Sequence, residues 1–135
     1  MVTWTEVRDA EARLRADRKH ANELIGLLDV IEDGTTSADV RLAAVQACRS
    51  LFESWALAGD LELRPAGEAE AGEEEGASGG ALVAYRAWLL RAYRRFAAGL
   101  RSLLSSPKPP LALRLAALDS LMVLASLEAR HARQG

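Results

Sequence analysis

Two short stretches, Val40-Arg41-Leu42-Ala43-Ala44-Val45 and Leu113-Arg114-Leu115-Ala116-Ala117-Leu118, give the clearest indication of how this chain folds. They match position for position, because four of the six residues are identical and the other two are aliphatic exchanges. Ala44 and Ala117 are small enough to let a neighbouring helix approach closely, and the aliphatic residues around them fill the contact. A repeated helix of this kind predicts HEAT-like helical repeats, with two helix pairs that bury their apolar faces by stacking.

The sequence before and around the first repeat has the start and stop signals of helices. Thr3 and Glu6 have the spacing of a capping box, which predicts a helix start. A polar run then indicates a break, after which Asn22 is expected to cap a second short helix. The Thr and Ser cluster at 35–37 predicts the start of the repeat helix, and Gly59 predicts its end.

The second half of the chain begins with a segment of a different composition. Residues 65–80, PAGEAEAGEEEGASGG, contain five Glu and five Gly and no large apolar residue, so we predict a disordered acidic loop. A helix is predicted over 81–105, and a last one over 111–129 after a proline-rich break. Leucine lies on nearly every side of this last helix, which predicts burial between neighbours.

These elements define an all-α domain with three parts. Residues 1–64 are predicted to form the first helical pair, 65–80 the acidic loop and 81–135 the second pair. The last helix is apolar on many sides and no polar capping repeat follows it. We therefore expect the N-terminal part of a longer solenoid, with an uncovered apolar flank on that helix. A plain four-helix bundle is the alternative.

The charges are unevenly distributed along the chain. Residues 1–80 contain 8 Lys and Arg and 17 Asp and Glu, a net charge of −9, while residues 81–135 contain 9 and 2, a net charge of +7. Such a difference indicates either a surface for acidic partners or RNA, or attraction between the two halves of the fold. No stretch approaches the ~18 apolar residues of a membrane span, so no membrane contact is predicted.

Arginines on the predicted helix over 81–105 are the strongest candidates for a functional surface. They occupy the half of the helix opposite its apolar face: Arg86, Arg91, Arg94, Arg95 and Arg101. Guanidinium groups bind phosphate and carboxylate through forked hydrogen bonds, so this face could contact RNA or an acidic protein segment. The alternative is a solvated face satisfied by acidic residues of the same chain.

The sequence does not contain a recognisable catalytic, metal or cofactor motif. Cys48 falls on the apolar face of its helix, which favours a core residue over a nucleophile. His20 and His131 are the only histidines and have no partner at a metal-ligand spacing. We therefore predict a non-enzymatic protein with no catalytic residue, no metal site and no cofactor.

Several stretches resemble the N-terminal region of the nucleolar complex protein 4 family. They are NELIGLL at 22–28, LAAVQACRSLF at 42–52, YRAWLLRAY at 85–93 and the helix at 118–131 that ends Glu-Ala-Arg-His. Their order and spacing agree across most of the chain outside the acidic loop. The Y-x-x-W-L-x-x-x-Y stretch and the Glu-x-x-His ending are the most specific parts.

The resemblance implies a HEAT-like helical protein of the nucleolus and nucleus that is needed for small-subunit ribosome assembly and pre-rRNA processing. It implies association with the pre-ribosomal particle and a complex with nucleolar protein 14, mainly through a C-terminal region absent here. The expected function is therefore a scaffold acting through protein–protein contacts. An RNA-binding module that uses the arginine face and an unrelated helical adaptor are the alternatives.

Overall fold

The structure is a computed structural model that describes residues 2–17, 20–63 and 80–134. This part of the chain contains five α-helices and no strand: α1 (Trp4–Ala16), α2 (Asn22–Glu32), α3 (Ala38–Ala58), α4 (Gly80–Ser105) and α5 (Leu111–Gln134). The acidic loop predicted over 65–80 lies outside the described residues except for Gly80, with which α4 begins. The second helical part therefore begins one residue earlier than predicted, and its last helix extends five residues further.

The first predicted segment contains two helices, α1 and α2, separated by the expected break. The Thr3 hydroxyl accepts a hydrogen bond from the Glu6 backbone N–H at 3.2 Å, which confirms the predicted cap of α1. The predicted cap of α2 is wrong, because Asn22 is its first helical residue and Ala21 is the cap. Ala21 already has αR backbone angles, and its carbonyl accepts from Leu24 at 3.0 Å, so the preceding turn leads directly into the helix.

The ends of α2 and α3 follow local side-chain and backbone chemistry. Asp33 accepts hydrogen bonds from the Thr35 backbone N–H at 2.9 Å and from the Thr36 hydroxyl at 3.0 Å. The Thr35 hydroxyl also donates to Asp33, at 2.6 Å. This bond contributes most, and together the three bonds hold the pKa of Asp33 below its ordinary value. Gly59 ends α3 in the left-handed conformation with φ of +88°, as the sequence predicted.

The helices form two pairs that stack on one another. α2 packs on α3 and α4 packs on α5, and the pairs meet through contacts of α2 with α4 and of α3 with α5. The first helices of the two pairs, α2 and α4, therefore contact each other, and so do the second helices, α3 and α5. This is the arrangement that HEAT-like stacking requires. α1 packs on α2 and α3, so it lies at one end of the stack and the α4–α5 pair lies at the other.

The core lies between the two pairs and is centred on aromatic side chains. Phe52 of α3 stacks on Phe96 of α4 with ring centroids 5.3 Å apart and meets the Tyr93 ring edge-on at 5.7 Å. Ala44 and Ala117, the small residues of the two repeats, are both fully buried. The close helix contacts predicted at these alanines are consistent with that burial.

Candidate functional site

The five arginines predicted as one face of α4 divide into two groups. Three are exposed and share an arc of about 80° at 100° per residue. We call them the arginine strip: Arg91, Arg94 and Arg101. The other two, Arg86 and Arg95, are half-buried at the two edges of this strip. Their side chains point towards neighbouring elements, and each forms an ion pair there.

Arg95 connects α4 to α2. Its Nη2 atom donates to Asp29 Oδ1 at 2.6 Å, and its Nε atom donates to Glu32 Oε2 at 2.7 Å. The hydrogen bonds from Glu32, followed by those from Asp29, raise the pKa of the Arg95 guanidinium. Two carboxylates of α2 therefore bind the Arg95 guanidinium of α4, so Arg95 connects the two helix pairs.

Two further ion pairs join the acidic and basic halves of the chain. Arg86 Nη1 lies 3.2 Å from Glu62 Oε1, and Arg49 Nη1 lies 2.6 Å from Asp119 Oδ2. Together with the Arg95 pairs they place opposite charges across the boundary between the halves. The Arg86 and Arg95 pairs join the basic half to the acidic half, as the charge distribution suggested, whereas the cation of the Arg49–Asp119 pair belongs to the acidic half.

The arginine strip is different because none of its members forms an ion pair with another described residue. Arg91 and Arg94 are one helical turn apart, and Arg101 follows two turns later on the same side. An exposed strip of three cations can bind phosphate or carboxylate groups without first breaking an internal contact. Only this part of the predicted arginine face remains a candidate contact surface.

The second candidate surface is an apolar stripe on α5. We call it the outer seam: Leu111, Leu115, Leu118 and Met122. These four side chains are 46–67% exposed, and at 100° per residue they lie within an arc of about 60°. Scattered exposed leucines are ordinary, but a continuous stripe of large apolar side chains marks a contact surface.

The opposite face of α5 forms the core contact. Leu113, Ala117, Leu124 and Leu127 are buried there, and they lie on the side of the helix away from the outer seam. The prediction that α5 is buried between neighbours is therefore wrong for one of its faces, because nothing in the described structure covers the outer seam. The expectation of an uncovered apolar flank on this helix is confirmed. In the sequence, the outer seam can be recognised from the spacing of its residues, which are four, three and four positions apart.

The two most specific stretches of the family resemblance meet in the structure. The Tyr93 hydroxyl, at the end of the Y-x-x-W-L-x-x-x-Y stretch, donates a hydrogen bond to the Glu128 carboxylate. Burial and this bond raise the pKa of Tyr93 above its ordinary value. Tyr93 is thus a packing residue that ties α4 to α5. Tyr85 and Trp88 stack on each other with centroids 6.2 Å apart and are half-buried.

Two other places in the described structure hold polar groups, namely the Cys48 thiol and a groove beside α2 and α4. Burial raises the pKa of the Cys48 thiol, which keeps it protonated at neutral pH and unsuited to nucleophilic attack. A groove of about 470 Å³ lies between the turns after α2 and α4, and Glu32, Arg41 and Lys108 are among its lining residues. The Arg41 guanidinium is held there by the Ile31 carbonyl at 2.8 Å.

The described residues contain neither a cluster of metal ligands nor a helix suited to span a membrane. Among residues 2–17, 20–63 and 80–134, no three His, Cys, Asp or Glu side chains come together as metal ligands would. None of the helices described is both long and apolar enough to cross a membrane.

Comparison with known proteins found no matching family model, no matching curated protein and no matching solved structure. The outer seam and the arginine strip are therefore interpreted from their own geometry. Both are extended surfaces along single helices, one apolar and one cationic. Surfaces of this kind suit the binding of macromolecules, because they offer a long line of contacts.

Proposed function

We propose that this chain is a non-enzymatic scaffold segment of a nucleolar factor, and that it acts in small ribosomal subunit assembly and pre-rRNA processing through protein–protein contacts. The observation that carries the proposal is the outer seam. Four large apolar side chains in line on one exposed helix face are costly to leave in water, and burying the exposed part of each would gain about 1–2 kcal/mol. Covering them is the strongest interaction that this surface offers.

The proposed cellular setting comes from the resemblance to the nucleolar complex protein 4 family. The contact between Tyr93 and Glu128 supports it, because the two most specific stretches form one structural unit. The proposed partners are those that the resemblance implies, namely nucleolar protein 14 and the pre-ribosomal particle. The proposed location is the nucleolus.

The test compares seam and non-seam leucines in eukaryotic cells. A tagged chain should enrich in nucleoli and sediment with small-subunit precursors. Leu115→Glu combined with Leu118→Glu should remove that association, while Leu57→Glu should not, since Leu57 is 59% exposed on α3 and lies away from the seam. A wild-type chain that stays evenly spread and sediments alone would refute the nucleolar assignment and favour an unrelated helical adaptor.

A second candidate function, RNA binding, is favoured by the arginine strip. Three exposed arginines without an ion pair in the described structure could contact about three phosphates. Fluorescence anisotropy with a ribosomal RNA fragment should then show an affinity that falls with salt, with a log–log slope of about −2 to −3. Changing Arg91, Arg94 and Arg101 to Glu should abolish it.

The matched control for this experiment compares two charge changes off the strip with the double change of Arg91 and Arg94 to Glu. Arg8 and Arg130 are exposed on α1 and α5, so their double change to Glu should reduce RNA affinity much less than two changes in the strip. Equal losses from both sets would mean that the chain attracts RNA only through its net charge. Tight binding by wild type that depends on the strip would make RNA binding the leading description.

A further inference from the structure

The outer seam has a counterpart within the same chain that is already next to a helix. Aligning the two repeats superposes the outer seam on four residues of α3: Ala38, Leu42, Val45 and Arg49. Val45 is fully buried, whereas its equivalent Leu118 is 46% exposed. Arg49 reaches α5 through its ion pair with Asp119. Because this face of α3 packs against a helix, the equivalent face of α5 is shaped to receive one as well.

The spacing of the outer seam identifies the kind of helix that fits. Its residues are separated by four, three and four positions, which is the a and d pattern of a heptad repeat. Ala125 and Ala129 continue this spacing and are exposed, so the line runs for about 27 Å along α5. A narrow a/d stripe is the contact surface of a two-stranded coiled coil, in which the partner presents a stripe of the same spacing.

The charges beside the outer seam are complementary to those of a second α5. With Leu115 at position a, Arg114 occupies position g and Asp119 occupies position e. In a parallel pair of helices, each g residue faces the e residue of the other helix five positions further along. Arg114 therefore faces Asp119 of the partner subunit, and the reciprocal pair forms by symmetry.

Both side chains can form this contact in the observed fold. Arg114 is half-buried, and its guanidinium forms no ion pair with another described residue. Asp119 accepts from Arg49 through Oδ2 only, and its side chain is 64% exposed. The second carboxylate oxygen of Asp119 can accept a further hydrogen bond.

We propose that the outer seam binds the outer seam of a second copy of this chain, forming a parallel two-stranded coiled coil of α5 helices flanked by two Arg114–Asp119 ion pairs between protomers. The inference goes beyond the proposed function: an outer seam held by a second copy is not free for another protein, so association with the pre-ribosomal particle would run through the dimer. It adds the stoichiometry, the direction of the helices and the register.

The first experiment measures the association of the purified full chain by sedimentation velocity and light scattering. We expect a reversible dimer with a dissociation constant on the order of 1–100 μM. Leu118→Glu should weaken it by at least ~30-fold, because two leucines are lost from the interface and two charges would be buried. Leu57→Glu is the matched control and should leave the dissociation constant unchanged. Circular dichroism establishes that both variants keep their helices.

The second experiment tests the register through charge exchange. Arg114→Asp or Asp119→Arg alone places like charges opposite each other and should weaken the dimer about three- to tenfold. The double variant restores opposite charges in a parallel pair and should recover most of the wild-type affinity. Arg49→Gln removes only the bond within the protomer and should leave association unchanged.

A monomeric wild-type chain at about 500 μM would overturn the proposal. A dimer insensitive to Leu118→Glu would overturn it as well, because the contact would lie elsewhere. A dimer that depends on Leu118 but shows no recovery in the double charge variant would refute the parallel register. These failures are distinct from failure of the proposed function. A strictly monomeric chain that still sediments with small-subunit precursors through the outer seam would keep the scaffold proposal and reject self-pairing.

Discussion

α1 and α5 come from opposite ends of the helical stack, and they differ in the number of their apolar faces. α1 has one apolar stripe, Val7, Ala10 and Leu14, and all three residues are buried. Its outer side is polar or alanine apart from the exposed Trp4, whose ring has the Arg8 guanidinium 5.1 Å above it. α5 has a buried inner face and the exposed outer seam on its other side.

This difference shows how the same packing unit can either end a stack or continue it. A helix with a single apolar stripe uses that stripe on the neighbours it already has, and its charged outer face can remain in water. A helix with two apolar stripes uses one of them and leaves the other open. α1 therefore has the character of a capping helix, whereas α5 has that of an internal or pairing helix.

The largest expected effect compares the two faces of α5. Leu124 is 2% exposed on the inner face, so Leu124→Ala should lower the free energy of unfolding by about 2–5 kcal/mol. Met122→Ala on the outer seam should change it by less than ~0.5 kcal/mol. Urea unfolding at low protein concentration measures both values without a contribution from association. A comparable loss from Met122→Ala would mean that α5 is covered on both sides within the monomer.

A smaller effect is expected at the alanines of the two repeats. Leucine in place of Ala44 or Ala117 should overpack the helix contact and cost roughly 1–3 kcal/mol, since both positions are fully buried. Ala12→Leu is the matched control, because it makes the same change on the exposed side of α1 and should be nearly neutral. If the two buried variants unfold at the wild-type urea midpoint, these alanines do not mediate close packing.

Much of the fold follows from patterns that depend on near neighbours in sequence. The repeat around Ala44 and Ala117 predicted which helices stack, and Gly59 predicted the end of α3. The helical period over 81–105 placed the arginines of α4 on the half opposite its apolar face. These patterns are legible because a helix repeats its environment every few residues, so its own sequence records which side is buried.

The partners across the fold could not be predicted in the same way. Arg91 and Arg95 have the same side chain on the same exposed half of α4, yet only Arg95 reaches α2, where Asp29 and Glu32 lie more than sixty residues earlier in the chain. Whether an apolar face is covered depends on the tertiary arrangement too, which is why α5 was predicted both as buried and as open on one flank. The predicted cap at Asn22 was wrong because a short turn at Ala21 leads into α2, and no side-chain hydrogen bond caps this helix.

The next effect concerns the start of α1, the capped end of the stack. Thr3→Ala removes the hydrogen bond to the Glu6 backbone N–H and should lower the free energy of unfolding by about 1 kcal/mol. Thr5→Ala, two positions into the same helix, should change it by less than ~0.5 kcal/mol because no helix cap is lost. Thermal unfolding followed by circular dichroism is sufficient. Equal shifts in both variants would show that the first turn of α1 frays in the native state.

The smallest effect is the pH dependence of the contact between α1 and α2. Arg13 Nε donates to the Glu23 carboxylate at 2.7 Å, and this bond, followed by the Coulombic attraction of Arg13, lowers the pKa of Glu23. A lowered folded-state pKa means that the stabilisation is present above the unfolded value of about 4.3 and is lost as the pH falls through the folded value. Both side chains are partly exposed to water, which screens the ion pair, so the contribution should be the smallest of the series.

Glu23→Gln should therefore reduce stability slightly at pH 6–7, and its difference from wild type should disappear in acid below the folded-state pKa. Arg13→Gln removes the other partner and should show a loss of the same sign over the same pH range. His20 Nδ1 lies 3.5 Å from Glu23 Oε2, so the series is repeated in a His20→Gln background to remove this second partner of the carboxylate. A wild-type advantage that persists unchanged at low pH would mean that Glu23 stabilises α2 through packing. In that case the charges on the outer surface of α1 would contribute little to stability. α1 would end the stack because its outer face has no second apolar stripe.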